Sequence, residues 1–267
     1  MNTGKVILAG AGPGHPDLIT VMAARYLQQA DVIICDRLVS NELLEHYAST
    51  DALIIHSGKE GHSSCSAAQH DINSLLLEHY DPGKLLVRLK GGDTAFFSNI
   101  LDELKTLTEH GIPFEIVPGI TAASGASSFA GIPLTARGYA DSVRFLTSCK
   151  HGGQDYWKEL AATKDTLVFY MSGSQLPHLL DQLHAHGLSE DKEIAVIEQA
   201  TTPYQSVSVF KITEIDTIRF HFRSPTLIVI GRVVALHRQF GWKENTALEK
   251  AYFRPAEGII VEQPLLA

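Results

Sequence analysis

Asp36 ends the apolar run DVIICD, and Asp93 follows two glycines in RLKGGDTAFF. A carboxylate at the end of a strand can accept a proton from a reacting carbon, or hold a hydroxyl or ammonium group. The same residue types also make local structure: Asp36 suits a helix cap ahead of LVSNELL, and GGD suits a plain turn. Gly91 and Gly92 would let a ligand approach the backbone closely. A third stretch, GAGPGHPDLIT from Gly10 to Thr20, raises phosphate binding. A dinucleotide fingerprint needs Gly-x-Gly-x-x-Gly after a strand, with an acid about where Asp36 lies. Gly10 and Gly12 fit, but the sixth position is His15. Pro13 and Pro16 remove two backbone donors from the region that would grip pyrophosphate, and the Lys-Ser/Thr ending of a nucleotide loop is missing. Pro16 is expected to open the following helix, with Asp17 adding negative charge at its start, which disfavours an anion there. A nicotinamide dehydrogenase is therefore disfavoured.

These loops must be positioned by an α/β framework. Five strand-like runs, VILAG, DVIICD, ALIIHS, LLVRLK and FEIVPG, alternate with helix-length segments in the N-terminal half. This is the pattern of layered α/β domains. GGD then falls at the end of a strand, where parallel sheets place their ligand crevices. A second series follows TAASGASSFAG: SVRFLTS, TLVFYMS, QLPHLLDQLHAHG, EIAVIEQA, SVSVFKI and PTLIVIG, with more adjacent strands and fewer helices. Turn residues Pro118 and Gly119 coincide with this change, so the expected domains are 1–118 and 119–240. The mixed stretch 241–267 is left as a tail, mobile or docked on a partner subunit.

Bulk properties narrow the function. The chain has 267 residues, 22 Lys and Arg against 30 Asp and Glu, and a formal net charge of -8. That balance argues against a general nucleic-acid surface. Apolar runs stop well short of the roughly 20 residues of a membrane helix, and the start MNTGK carries no signal core, so a soluble cytoplasmic protein is expected. Cys35, Cys65 and Cys149 lack paired spacing, which disfavours disulfides and zinc knuckles. The 13 histidines form no HExxH, so no metal is expected.

GAGPGHPDLIT, CDRLVS, RLKGGD, VPGITAASG, GIPLT, YADSVRFLT, TLVFYM and PTLIVIGRVVAL occur in order from about Val6 to His237. Together the set resembles the tetrapyrrole methylases, most closely the uroporphyrinogen-III C-methyltransferase branch. The resemblance implies two α/β domains of the class III methyltransferase type, with the cofactor in a cleft between them. It implies methyl transfer from S-adenosylmethionine to two ring carbons of uroporphyrinogen III, giving precorrin-2 on the way to siroheme and cobalamin, by a homodimer. Carried over position by position, it assigns cofactor contacts to Pro13, Gly91, Gly92, Asp93, Phe96, Thr121, Ala122, Met171 and Ala200. It assigns proton acceptance to Asp36 and proton donation to Lys59, a residue type that equally suits a solvated loop. A donor without phosphate also accounts for the prolines in the first glycine loop.

The chain departs from the family pattern at cationic and polar positions. Asn99 stands where an arginine is usual after GGD, Glu60 where a cation is usual after GK, and Ala136 where histidine usually follows GIPLT. A substrate with eight carboxylates needs positive groups, and Arg37, Arg88, Lys90, Arg137 or Arg144 are the candidates to compensate. The alternatives are a methylase of the same fold acting on another substrate and a protein that binds adenosylmethionine or porphyrin without turnover.

Overall fold

The computed structural model describes residues 4–57, 65–147, 152–211, 222–246, 252–254 and 260–262, with the backbone alone for 65–70 and 262. The five N-terminal strands form as expected: β1 (Lys5–Gly10), β2 (Val32–Asp36), β3 (Leu53–Ser57), β4 (Leu85–Lys90) and β5 (Phe114–Val117). Between them run α1 (Val21–Gln29), α2 (Asn41–Tyr47), α3 (Cys65–His79) and α4 (Ile100–Glu109). The central strands are covered on both faces, which is why they are apolar almost throughout instead of alternating with polar residues. Ile7 and Ala9 of β1 share one apolar cluster with Ala23 and Leu27 of α1 and Leu43 of α2. Val6 and Leu8, on the opposite face of the same strand, share another with Ile72 and Leu76 of α3 and Leu107 of α4.

Local chemistry sets the helix starts. The Thr20 hydroxyl accepts from the Ala23 amide at 3.3 Å and opens α1, while Ser40 accepts from Leu43 at 3.2 Å and opens α2. One expectation changes and one alternative is removed as a result. Pro16 opens only a 3-10 turn, Pro16–Leu18, capped by the His15 ring, so Asp17 does not sit in the first turn of α1. Asp36 does not cap α2, because Ser40 already fills that role.

Among the described residues the first sheet has the order β11-β3-β2-β4-β1-β5, where β11 is Ile260–Glu262. β1 to β5 are mutually parallel, and β11 alone runs antiparallel, along the outer edge of β3. The C-terminal stretch thus returns to the first sheet and covers an edge that would otherwise present unpaired backbone groups. Phe253 is buried there, Tyr252 donates to Glu42 at 2.6 Å, and the Arg254 Nε donates to Asn41 at 2.8 Å.

The chain forms two compact units, one made of Met1–Thr121 with Ala251–Ala267 and another made of Ala122–Lys250. The second contains α5 (Ala122–Ala130), β6 (Val143–Thr147), α6 (Gln154–Ala162), β7 (Thr166–Tyr170), α7 (Leu176–Ala185), β8 (Glu193–Glu198), β9 (Ser206–Lys211), β10 (Thr226–Gly231) and α8 (His237–Phe240). Its sheet has the order β6-β7-β10-β8-β9, with β6 and β7 parallel and the other neighbours antiparallel. Antiparallel pairing needs no helical crossover, which accounts for the run of adjacent strands in this half of the sequence. α6 and α7 pack on one face of the sheet and α5 on the other. The expected α/β class with two sheet-centred units is borne out.

Asp165, just before β7, accepts from Ser142 and from Arg144, whose guanidinium also reaches Glu159 at 2.6 Å. The hydrogen bond from Ser142, followed by that from Arg144, lowers the carboxyl to about 2 from its ordinary 3.8. A depressed acid stabilises the fold above its unfolded pKa and ceases to do so as pH falls through the folded value. Asp165→Asn is therefore expected to lower the melting midpoint at pH 7, with the deficit shrinking as pH falls from 3.8 toward about 2. Thermal melts across that range check it, and a deficit independent of pH would discount the charge.

Candidate active site at the C-terminal edges of the strands

Because β1 to β5 are parallel, their C-terminal ends share one edge of the first sheet. The Gly10–Thr20 loop, Asp36, Ser57, the GGD loop and the PGIT loop all lie along it. Parallel sheets bind ligands at this edge, because the backbone leaves it in loops free to diverge. Lys59 follows Ser57 but lies outside the described residues, as does Glu60.

Two of these loops are joined through backbone, and a third packs against them. Gly12 and Gly92 exchange hydrogen bonds of 3.0 and 2.8 Å, and the Ala11 amide donates to the Lys90 carbonyl at 2.8 Å. A Cβ on Gly10 would stand 2.6 Å from the Gly92 oxygen, and one on Gly119 would stand 2.3 Å from that same atom. Glycine at these positions is therefore required by contact between loops, whatever ligand they hold. Buried Asp93 strengthens the junction: Oδ1 accepts from the Ala95 amide at 2.7 Å and Oδ2 from the Gly119 amide at 2.8 Å. Each oxygen keeps a second lone pair for a hydroxyl, so GGD is more than a plain turn. Pro13 is half-buried in the first loop, and Phe96, 40% exposed, follows GGD.

Asp36 stands on a buried group of charges. The Arg88 guanidinium on β4 donates to Asp36 Oδ1 through Nη2 and to Glu103 Oε1 of α4 through Nε, the latter at 3.1 Å. Nη1 meets the carbonyls of Ile34 and Leu89 at 3.3 and 3.2 Å. Lys90, two residues along β4 and thus on the same face, donates to the same Glu103 oxygen at 2.7 Å. Arg88 and Glu103 are fully buried, whereas the Asp36 side chain keeps 27% exposure. Burial works against the charge on Arg88, but Asp36 and Glu103 outweigh it and raise its pKa; burial and the neighbouring Arg88 lower that of Lys90. The expectation that Arg88 or Lys90 meets substrate carboxylates is thereby corrected. Both are spent inside the protein, because two cations on a covered strand need anions beside them. The alternation R-x-K within LLVRLK was the available signal, and Glu103 is the partner it left unidentified.

The second unit presents its own assigned residues. β7 and β8 both run antiparallel to β10 and hence parallel to each other, so Met171 and Ala200 follow strand ends at the same edge. Met171 is 70% exposed with φ 52°, and Ala200 is buried between Gln199 and Thr201, at φ 45° and 67°. Left-handed backbone at bulky residues is uncommon and gathers at functional turns. The Ala123 amide donates to the Tyr170 hydroxyl at 3.1 Å, tying the start of α5 at Ala122 to the end of β7. Thr121 immediately precedes that helix.

Among the altered positions, Asn99 adopts φ 55° at the start of α4 and makes no side-chain cap. Ala136 is held in a backbone bridge with Ala140. Arg37 donates to the Arg254 carbonyl at 3.3 Å, and Arg144 is paired as above. Arg137 is exposed and, among the described residues, forms no ion pair. Among the described residues no group of three or more His, Cys, Asp or Glu can hold a metal ion.

Known proteins resemble this chain in sequence and fold. The model of the Tetrapyrrole (Corrin/Porphyrin) Methylases matches residues 5–216. A siroheme synthase 2 of Cronobacter sakazakii is 45% identical over 240 residues, which are 90% of this chain and 52% of that protein. The chain thus spans about half the length of the curated relatives it matches. The native form of a uroporphyrin III C-methyl transferase from Thermus thermophilus superposes with a TM-score of 0.73 at 32% identity, covering 87% of this chain and all of that one. A second structure of the Thermus thermophilus transferase, complexed with S-adenosylhomocysteine, gives 0.69 at 28% identity over 86% and 93%. The matched family model covers β1 to β9 and the loops that end those strands, so the chain belongs to the tetrapyrrole methylases.

Proposed function

We propose that the chain methylates carbons of uroporphyrinogen III with S-adenosylmethionine, giving precorrin-2 for siroheme and cobalamin synthesis. The observation that carries this reading is the convergence of the GPG loop, Asp36 and the GGD loop on one strand edge, joined by the Gly12–Gly92 backbone bridge. The donor set suits a ligand without phosphate. The start of α1 is closed by the Thr20 hydroxyl, and the loop before it contains two prolines, so few amides remain for an anion. What remains suits an adenosyl group: glycine backbone, the spare lone pairs of Asp93, and the exposed Phe96 side chain. The family resemblance assigns residues of both units to this one donor.

When bound, adenosylmethionine supplies an activated methyl: a ring carbon's electron pair forms the new C–C bond as the C–S bond breaks. The protein orients the partners and excludes water. The proton released from the ring passes to the Asp36 carboxylate, which its contact with Arg88 favours in the ionised form. Lys59 is assigned proton donation by the resemblance alone. A cytoplasmic homodimer without metal, nucleic-acid or membrane partners completes the proposal.

A second reading, another tetrapyrrole as substrate, is favoured by the internal pairing of Arg88 and Lys90 together with Asn99 and Ala136 at altered positions. Incubation with adenosylmethionine and enzymatically generated uroporphyrinogen III decides. The expected product is dimethylated and oxidises to a red-fluorescent chromophore. Intact adenosylmethionine binding by calorimetry without methylated product would transfer the assignment to the second reading or to a binding protein.

A further inference from the structure

Burying three charges, Arg88, Lys90 and Glu103, is a costly way to stabilise a fold. Replacing such groups by well-packed apolar residues is often neutral or stabilising. The group beneath Asp36 has a further cost, since Glu103 Oε2 is buried and has no hydrogen-bond partner among the described residues. Glu103 is fully enclosed, on a helix whose Leu107 packs into the apolar core, where apolar residues at 88, 90 and 103 together would satisfy packing without the orphaned oxygen. Stability alone does not account for this arrangement. Its geometry does: the chain of contacts Lys90–Glu103–Arg88–Asp36 begins in the interior and ends on the one member that reaches solvent.

We propose that Arg88 is a positioning residue that holds the Asp36 carboxylate at the sheet edge, and that Glu103 sets the charge around Arg88 and thereby the proton affinity of Asp36. The inference rests on Asp36 as the proton acceptor. The Arg88 fork is anchored by two backbone carbonyls and Glu103, so one guanidinium arm is left in a fixed direction toward Oδ1. A bare Arg–Asp pair would make Asp36 a weak base. The negative charge of Glu103 opposes that effect, and Lys90 limits the opposition. Arg88 from β4 contacts Asp36, Lys90 from β4 acts on it through its charge, and Glu103 from α4 stands behind both cations; Ser57 stands beside Asp36 on β3, with its hydroxyl donated to the Cys35 carbonyl. Arg37 follows it and binds the Arg254 carbonyl.

The signs are opposite for the two partners, which separates the proposal from a merely structural role. Arg88→Gln removes a cation from Asp36 and is expected to raise the acid limb of methylation by about one pH unit. Glu103→Gln removes an anion and is expected to move the limb down. Arg88→Lys keeps the charge but loses the fork, so the limb should return toward its original pH while turnover stays reduced. The same directions should appear in a carbon-13 titration of aspartate-labelled full-length protein, with the Asp36 signal identified by its loss in Asp36→Asn. If Arg88→Gln does not fold, Glu103→Gln and Arg88→Lys carry the test. Variants that lose rate or stability while the Asp36 titration stays at its wild-type position would overturn the inference. Full turnover by Asp36→Asn would instead remove Asp36 from the mechanism, and the titration would still report whether the charges are coupled.

Discussion

Asp36→Asn is expected to lower methylation turnover by about a hundredfold or more while leaving adenosylmethionine affinity unchanged. The size follows from losing a positioned proton acceptor, and the selectivity follows from where Asp36 sits. It ends β2, and β4 stands between it and β1 with the Gly10–Thr20 loop, so its carboxylate can be changed without touching that loop. Asparagine keeps the shape and can still meet Arg88 through its amide oxygen, so the strand end should hold its conformation. Single-turnover rates with uroporphyrinogen III, set beside calorimetric titration with adenosylhomocysteine, provide the measurement. A slowed step with preserved binding places Asp36 in proton transfer. Unchanged turnover removes it, and loss of both properties would make it a structural residue.

Gly119→Ala is expected to be the most damaging single methyl addition at the candidate site. Its Cβ would stand 2.3 Å from the Gly92 oxygen, 2.9 Å from the Gly10 Cα and 3.0 Å from the Gly10 carbonyl carbon, all of them backbone. A flexible side chain could swing aside, but two glycine loops cannot without breaking the Gly12–Gly92 bridge. Overpacking of this kind costs about 1–3 kcal/mol, occasionally more. The shift would also disturb the Gly119 amide that Asp93 receives at 2.8 Å, so weaker adenosylmethionine binding should accompany the lower melting point. Gly111→Ala provides the control, since its Cβ would meet nothing within 4 Å. Its φ of 63° makes a smaller backbone cost the expected result. Equal losses at the two positions would argue that loop contact is not what requires glycine at 119.

Much of this was legible from residue order. The five runs from VILAG to FEIVPG became five parallel strands because apolar segments with intervening helices have one economical arrangement. Asp36 and GGD were recognisable as strand-end features from the runs they terminate. The ordered motifs from GAGPGHPDLIT to PTLIVIGRVVAL identified the family, which the match over residues 5–216 bears out. Other features were misread because several solutions share one sequence pattern. Pro16 with Asp17 reads as a helix start, yet Thr20 offered a better cap four residues later.

What the sequence by itself determined is everything carried by short-range order: the alternation of strands and helices, the loops that end them, and the motif series of the family. Only the tertiary structure decided the partners. Period two along LLVRLK puts Arg88 and Lys90 on one face, but it cannot indicate that Glu103 of α4 waits there. Nor can a mixed C-terminal stretch announce that Ile260 will pair beside His56, some two hundred residues earlier. Periodicity reports which way a side chain points relative to its own element. What it meets depends on how distant elements pack, and for a buried charge or an open strand edge that meeting sets its chemistry.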